Sequence, residues 1–207
     1  MNQLEYEKTR NEVDKIIVDF IDEFSKTINL LKKDNSLIRM RFLIAFSFTE
    51  VMCGIFDKYY NLNLGNEKLM KEWFQKYCLT NDNNVYKNHP YIRKIDERYL
   101  YKLRCSIIHA FALPEYEGKQ AIMFPNGPET AKNIVEIDKR FSEAGFDPVF
   151  ISPDSLTTLF IKGGMLLIKE VMNSQSVKSA EGLLRVRKEL HRRGAAPIPL
   201  KESYEIH

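Results

Sequence analysis

The stretch LIRMRFLIAFSFTEVMCGIFDKYY, residues 37–60, indicates the fold of this chain more strongly than any other segment. Apolar side chains occur almost all the way round the helix that this stretch would form, and Asp34-Asn35-Ser36 supplies turn and N-cap chemistry just before it. A helix that is apolar on nearly every side has to be surrounded by other elements. The stretch therefore predicts a helix at the centre of an α-helical bundle.

The segments around this central helix also have helical patterns. Between Leu4 and about Lys33, apolar residues recur with the spacing of one buried stripe: Val13, Ile16, Ile17, Phe20, Ile21, Phe24, Ile28 and Leu31. Further helices are predicted over three ranges: 66–79, about 92 or 96 to 112, and 153–173. Four to five helices with short connections are typical of a mainly α bundle.

A change of pattern after Pro114 predicts a small β-hairpin insertion, at about 115–152, before the last long helix. Gln120–Phe124 is typical of a short strand, and 125–128 is a turn. Residues 133–138 could form the partner strand, but 129–144 also has a helical pattern, and the sequence leaves both open. In the last long helix, Gly163-Gly164 predicts close approach by another backbone.

Composition and charge divide the chain into a bundle and a basic end. The 207 residues are 44% hydrophobic and 29% charged, which is typical of a globular protein. No apolar run is long enough to cross a bilayer, and the N-terminus is acidic where a signal peptide would be basic and then apolar, so we expect a soluble, cytoplasmic protein without a membrane partner. The predicted division is a bundle over 1–173 and a basic helix and tail over 174–207, where the whole net charge of +3 arises.

The cysteines and histidines do not predict a metal site. Three cysteines are far apart, and four histidines form no pair with the spacing of zinc ligands. We expect neither a transition metal nor another cofactor.

The stretch YLYKLRCSIIHA, residues 99–110, combines a core stripe with a misplaced charge. Leu100, Leu103 and Ile107 share one face of a helix, and Arg104 falls only about 40° from Leu100. A buried guanidinium needs a partner, so it must meet an acid or face a cavity that receives an anion. On the apolar second helix the best acid is Glu50, with Asp57 next.

His109 is predicted on the opposite face of the same helix, beside Lys102, Cys105 and Ser106. These neighbours are mostly small, so another helix could approach closely. The last turn of a helix favours the charged imidazolium, which is the state of a general acid. A lone helical histidine is more often structural, but the nearby arginine changes the interpretation.

An arginine, four residues and then a histidine near the end of the penultimate long helix resembles the HEPN superfamily (higher eukaryotes and prokaryotes nucleotide-binding). The bundle over residues 1–173 and an acid on the second helix, here Glu50, also match that family. The resemblance implies a metal-independent endoribonuclease with its active site between the motif helices of two subunits, in a bacterial toxin or anti-phage setting. An antitoxin or a nucleotide ligand would be a further partner of such a protein.

In such a site, His109 would move protons between the RNA 2′-hydroxyl, the scissile phosphate and the leaving oxygen, while Arg104 would hold phosphate oxygens. Ser106, Lys102 and Tyr101 are supporting candidates, with Ser106 as a hydrogen-bond donor. Tyr99 and Tyr101 could stack on bases, although both could instead pack in the bundle. Arg104 and His109 lie about 140° apart on one helix, which also favours a homodimer.

Two other functions stay open. Active HEPN ribonucleases often have Asn, Asp or His directly after the motif arginine, and here that position is Cys105. This departure favours a HEPN-like module that does not cut but binds RNA, a nucleotide or a partner protein. The remaining alternative is a plain interaction bundle whose basic tail docks on an acidic partner.

Overall fold

Helix α2 (Ile38–Tyr60) runs through the middle of the molecule in the computed structural model, which describes residues 3–88, 92–110, 115–116, 118–123, 134–173 and 177–192. Helices α1, α3, α5, α7 and α8 all contact α2. Its buried side chains, among them Phe42, Phe46, Met52 and Phe56, lie on several sides of the helix. The chain is mainly α, as the sequence predicted, and α2 is its central helix.

The other elements follow in chain order. The helices are α1 (Gln3–Leu31), α3 (Asn66–Trp73), α4 (Asn84–Asn88), α5 (Glu97–Ala110), α6 (Ile134–Glu143), α7 (Pro153–Asn173) and α8 (Val177–Arg192). In the part of the chain that the structure describes there are also two 3-10 turns (Asn35–Leu37 and Ile92–Lys94) and one π-helix (Phe74–Cys78). The strands are β1 (Glu115–Tyr116), β2 (Lys119–Met123) and β3 (Asp147–Ile151).

The three strands form one small sheet in the order β1-β2-β3. β1 and β2 are an antiparallel hairpin, and β3 runs parallel to β2. Residues 134–143 form α6 between β2 and β3, so over these residues the helical alternative is correct and the strand alternative is wrong. The strand that pairs with the other edge of β2 is β3, whose apolar residues Val149–Ile151 are buried. The predicted turn at 125–128 lies outside the described residues.

The glycine pair in α7 contacts the π-helix and α2. A Cβ atom at Gly163 would lie 2.7 Å from the Cys78 sulfur and 3.3 Å from the Tyr77 carbonyl oxygen. At Gly164 the nearest atoms belong to the side chains of Phe48 and Met52. The close backbone approach predicted from the sequence is therefore confirmed at Gly163.

Helix α8 packs on the bundle. From the sequence, residues 174–207 were predicted to be a basic helix and tail outside the bundle. Leu183, Val186 and Leu190 are buried against the core. Gly182 allows close approach, since a Cβ atom there would lie 2.7 Å from the Tyr59 carbonyl oxygen. Arg185 donates to the Lys58 and Tyr59 carbonyl oxygens at the end of α2, over 2.8 and 3.1 Å. Residues 193–207 lie outside the described part.

A carboxylate on α1 binds two basic side chains of α8. Glu12 accepts a hydrogen bond from His191 and pairs with Arg187, at 3.0 and 2.9 Å. Partial burial raises the pKa of Glu12, but the two hydrogen bonds and charges lower it more, so the pKa lies below the ordinary value. This cluster fixes the outer face of α8 to α1.

Candidate functional site

The first turn and core face of α5 fix the direction of its functional side chains. Asp96 accepts a hydrogen bond from the Tyr99 backbone N–H over 2.7 Å, which is an N-cap and explains why the helix begins at Glu97. The predicted stripe of Leu100, Leu103 and Ile107 is buried. With this stripe in the core, Arg104 is directed at the edge between α5 and α2.

Arg104 forms an ion pair with Glu50 of α2, through its Nη2 atom and the Glu50 Oε1 atom. The side chain of Arg104 is 13% exposed, and that of Glu50 is 41% exposed. The predicted acid is therefore the partner, and the pair lies at the boundary of the core. Asp57, the second candidate, instead accepts from the Asn63 backbone N–H and from Lys58, at 2.9 and 3.0 Å.

The guanidinium of Arg104 is only partly satisfied by Glu50. Its Nε atom is buried and has no hydrogen-bond partner among the described residues, and Nη1 lies 4.0 Å from the Cys105 sulfur. Burial lowers the pKa of Arg104, but the hydrogen bond and charge of Glu50 raise it more, so the pKa lies above its ordinary value. The group is a permanent cation with donors left over.

A cleft of about 530 Å³ opens beside this ion pair, between α2, α3, α5 and α8. Its walls are formed by Glu50, Cys53, Gly54, Asp57, Lys58, Asn66, Leu69, Arg104, Glu189 and Arg192. Three carboxylates and three cations line it, and each carboxylate is paired with one of the cations. The cleft of Arg104 is therefore polar and close to neutral, and its size is in the range of ligand-binding pockets.

Glu189 and Arg192 belong to this cleft but were not among the site candidates predicted from the sequence. The Glu189 carboxylate accepts from Arg192 Nε and Nη2 over 2.9 and 2.7 Å. Their spacing of three residues on a helix was visible in the sequence, but such a pair is usual on a solvated face. Only the docking of α8 on α2 places this pair in the wall of the Arg104 cleft, and that docking was not predicted.

His109 lies near the end of α5 and is exposed. Within the described ranges the His109 side chain forms no hydrogen bond or ion pair, with Arg104 or with any other residue. Lys102 is exposed and Ser106 is half-buried on the same helix. One copy of the chain therefore places Arg104 in the cleft and presents His109 to the outside.

The two tyrosines of the motif stretch have different surroundings. Tyr99 is fully buried, so the prediction that it could stack on bases is wrong and packing is its role. Tyr101 is half-buried, and Lys71 Nζ lies 5.4 Å from the centre of its ring. Burial and a hydrogen bond with Cys105 raise the pKa of Tyr101, so the hydroxyl is a neutral donor.

The described residues contain neither a cluster of metal ligands nor a membrane-spanning helix. No group of three or more His, Cys, Asp or Glu side chains there could hold a metal ion. None of the helices in that part of the chain has both the length and the apolar character needed to cross a bilayer.

Comparison of the chain with models of protein families, with curated proteins and with solved structures finds no match.

Proposed function

We propose that this chain is a metal-independent endoribonuclease of the HEPN type, acting as a homodimer through α5 in a bacterial toxin or anti-phage system. One observation carries the proposal. Helix α5 holds Arg104 beside a cleft, paired with an acid on α2, and presents an exposed His109 five residues later. This arrangement agrees with the resemblance implied by the sequence, including the position of Glu50.

The chemistry requires an acid and a base at the same phosphate. The 2′-oxygen of the RNA attacks phosphorus, a base removes its proton, the bond to the 5′-oxygen breaks and an acid protonates that oxygen. Each chain supplies one motif histidine. Two copies of α5 that cross would supply one His109 as base and the other as acid.

Arg104 stabilises the negative charge that develops on the phosphate oxygens. A guanidinium has five N–H donors, and Glu50 uses only part of them. The Glu50 carboxylate also fixes the guanidinium at the edge of the core, so less side-chain freedom is lost when a phosphate binds. Lys102, Ser106 and Tyr101 lie on the same helix and support substrate binding in this proposal.

The test is cleavage of a mixed RNA pool in excess EDTA by wild type, His109→Ala and Arg104→Ala. We expect wild type to cut RNA, not DNA of the same sequence, because DNA lacks the 2′-hydroxyl. Each variant should lose about 100-fold or more of the rate. Arg140→Ala is the control, since Arg140 is an exposed arginine of α6, outside both the cleft and α5, and this variant should retain full activity.

Two results would contradict the ribonuclease proposal. One is an uncut pool with folded, dimeric wild type, and the other is cleavage that survives in both motif variants. Because Arg104→Ala removes a partner of Glu50, Arg104→Lys is added, which keeps the charge but loses the planar fork. A monomer by sedimentation at micromolar concentration would contradict the composite site.

The pairing of Arg104 with Glu50 and the sulfur of Cys105 beside it favour a second candidate, a module that binds RNA without cutting it. In that function Arg104 is an anion contact and His109 has no catalytic role. The same proteins would then bind RNA without cleavage, and Arg104→Ala alone would weaken binding.

A further inference from the structure

Arg192 is the last residue of α8 and forms part of the wall of the Arg104 cleft. Its side chain is 69% exposed, whereas the Glu189 side chain to which it binds is 8% exposed. The pair therefore combines a buried carboxylate with an accessible guanidinium. This is an unusual arrangement for an ordinary surface pair, in which both groups are solvated.

Among the described residues, the geometry of the pair leaves one edge of the guanidinium open. Glu189 accepts from Nε and Nη2, so it occupies the side of the fork that contains Nε. The other edge, formed by Nη1 and the second hydrogen of Nη2, is directed away from Glu189. Two parallel N–H groups of this kind match two oxygens of a phosphate. Glu189 thus orients Arg192 while leaving its phosphate-binding edge available.

Helix α8 holds this pair firmly in place. Close packing at Gly182 and the hydrogen bonds from Arg185 to the carbonyl oxygens of Lys58 and Tyr59 fix α8 to the end of α2. Lys58 belongs to the same cleft as Arg192. The position of Arg192 relative to Arg104 is therefore set by helix packing, which favours a site with two guanidinium groups at fixed positions.

Between the two arginines, the cleft offers groups that suit a nucleotide. Leu69 is an apolar side chain, Asn66 carries an amide at the start of α3, and Gly54 adds no side chain to the α2 wall. Each arginine already faces a carboxylate, so long-range attraction of an anion is weak. Binding at this cleft then depends on directed hydrogen bonds to a ligand at short range.

We propose that Arg192 is a substrate-binding residue that holds an RNA phosphate neighbouring the one held by Arg104. This inference rests on the proposed function for the identity of RNA as the ligand. In it, α8 is one wall of the substrate site, and Glu189 acts through Arg192 by fixing its orientation. The strand passes over the cleft from α5 to α8.

The experiment measures the binding of a short, fluorescently labelled single-stranded RNA to full-length His109→Ala protein, which should not cut the probe. Adding Arg192→Ala should weaken binding about tenfold, the effect of losing a charged hydrogen-bonded contact. Lys188→Ala is the control. It removes an exposed cation of the same helix that does not line the cleft, and it should leave the affinity unchanged.

Arg192→Ala leaves the buried Glu189 carboxylate without its cation and could unfold the end of α8. Arg192→Lys keeps a cation beside Glu189, so a change in its affinity does not arise from misfolding. We expect it to bind RNA with an intermediate affinity, because lysine cannot hold a carboxylate and a phosphate with a planar fork. Equal losses of affinity for Arg192→Ala and Lys188→Ala would overturn the inference, since they would indicate general electrostatic attraction. An unchanged affinity for Arg192→Ala, or no RNA binding by the parent protein, would also overturn it.

Cleavage by wild type is assayed separately, so the two proposals fail in different ways. If RNA is bound through Arg192 but never cut, the ribonuclease proposal fails and the phosphate contact stands. If RNA is cut with full activity by Arg192→Ala at limiting RNA concentration, the ribonuclease stands and the role of α8 is refuted.

Discussion

Replacing Glu50 by alanine tests how strongly the motif arginine depends on its acid. Breaking a fully buried ion pair costs about 3–5 kcal/mol, whereas an exposed pair contributes about 0–1 kcal/mol. Arg104 is 13% exposed and Glu50 is 41% exposed, so this pair falls between these limits. We expect Glu50→Ala to lower the free energy of unfolding by about 2 kcal/mol.

Thermal unfolding followed by circular dichroism measures this change. In a chain of this size, about 2 kcal/mol corresponds to a fall of about 4–8 °C in Tm. A double-mutant cycle with Arg104→Met isolates the pair, because methionine keeps the apolar part of the side chain and removes the charge. The loss caused by Glu50→Ala should shrink by about 1 kcal/mol or more in the Arg104→Met background.

Glu67→Ala is the control, since Glu67 is exposed and pairs with Lys71 one turn along the same helix. Its effect should stay within about 0.5 kcal/mol. If Glu50→Ala costs no more than Glu67→Ala, or if the cycle shows no coupling, the carboxylate does not hold Arg104. The argument that Glu50 orients the guanidinium for a phosphate would then be refuted.

Two further predictions concern packing and pH. Gly163→Ala should lower Tm more than Gly164→Ala. The methyl group added at Gly163 would meet the buried Cys78 sulfur and a backbone oxygen, whereas Gly164 faces side chains that can shift. Equal melting temperatures for the two variants would contradict this prediction. Glu12→Gln should destabilise the protein at neutral pH, because the depressed pKa of Glu12 stabilises the fold only while the carboxylate is ionised. The difference from wild type should begin to shrink as pH falls below the ordinary pKa of about 4.5, and it should vanish only below the lower pKa of the folded state. Melting curves from pH 7 to 3 measure this difference, and a constant difference would refute the assignment.

The parts of the structure that were predictable depend on local periodicity. The apolar surface of 37–60 identified the central helix, and the stripe around Leu100 placed Arg104 at the core edge. Glu50 followed as its partner because a charge on an apolar helix face is conspicuous in the sequence. These inferences need only the geometry of single helices and the cost of burying an unpaired charge.

The parts that were missed depend on contacts between distant segments. Ile134 and Val135 are β-forming residues, yet they lie in α6, and β3 is the strand that runs parallel to β2. Likewise, no local pattern shows that α8 docks on α2 and places Arg192 in the wall of the Arg104 cleft. Long-range packing determines both features, and a single sequence does not display it.

The docking of α8 also has a practical consequence for fragments of this protein. A fragment ending at residue 173 would keep the whole Arg104–His109 motif and all the helices that the sequence predicts for the bundle. It would nevertheless strip the donors of Arg185 from two carbonyl groups and uncover the apolar surface beneath Leu183 and Leu190. Recombinant fragments should therefore extend at least to Arg192. If α8 is removed, a loss of activity caused by destabilisation would be mistaken for the loss of a catalytic group.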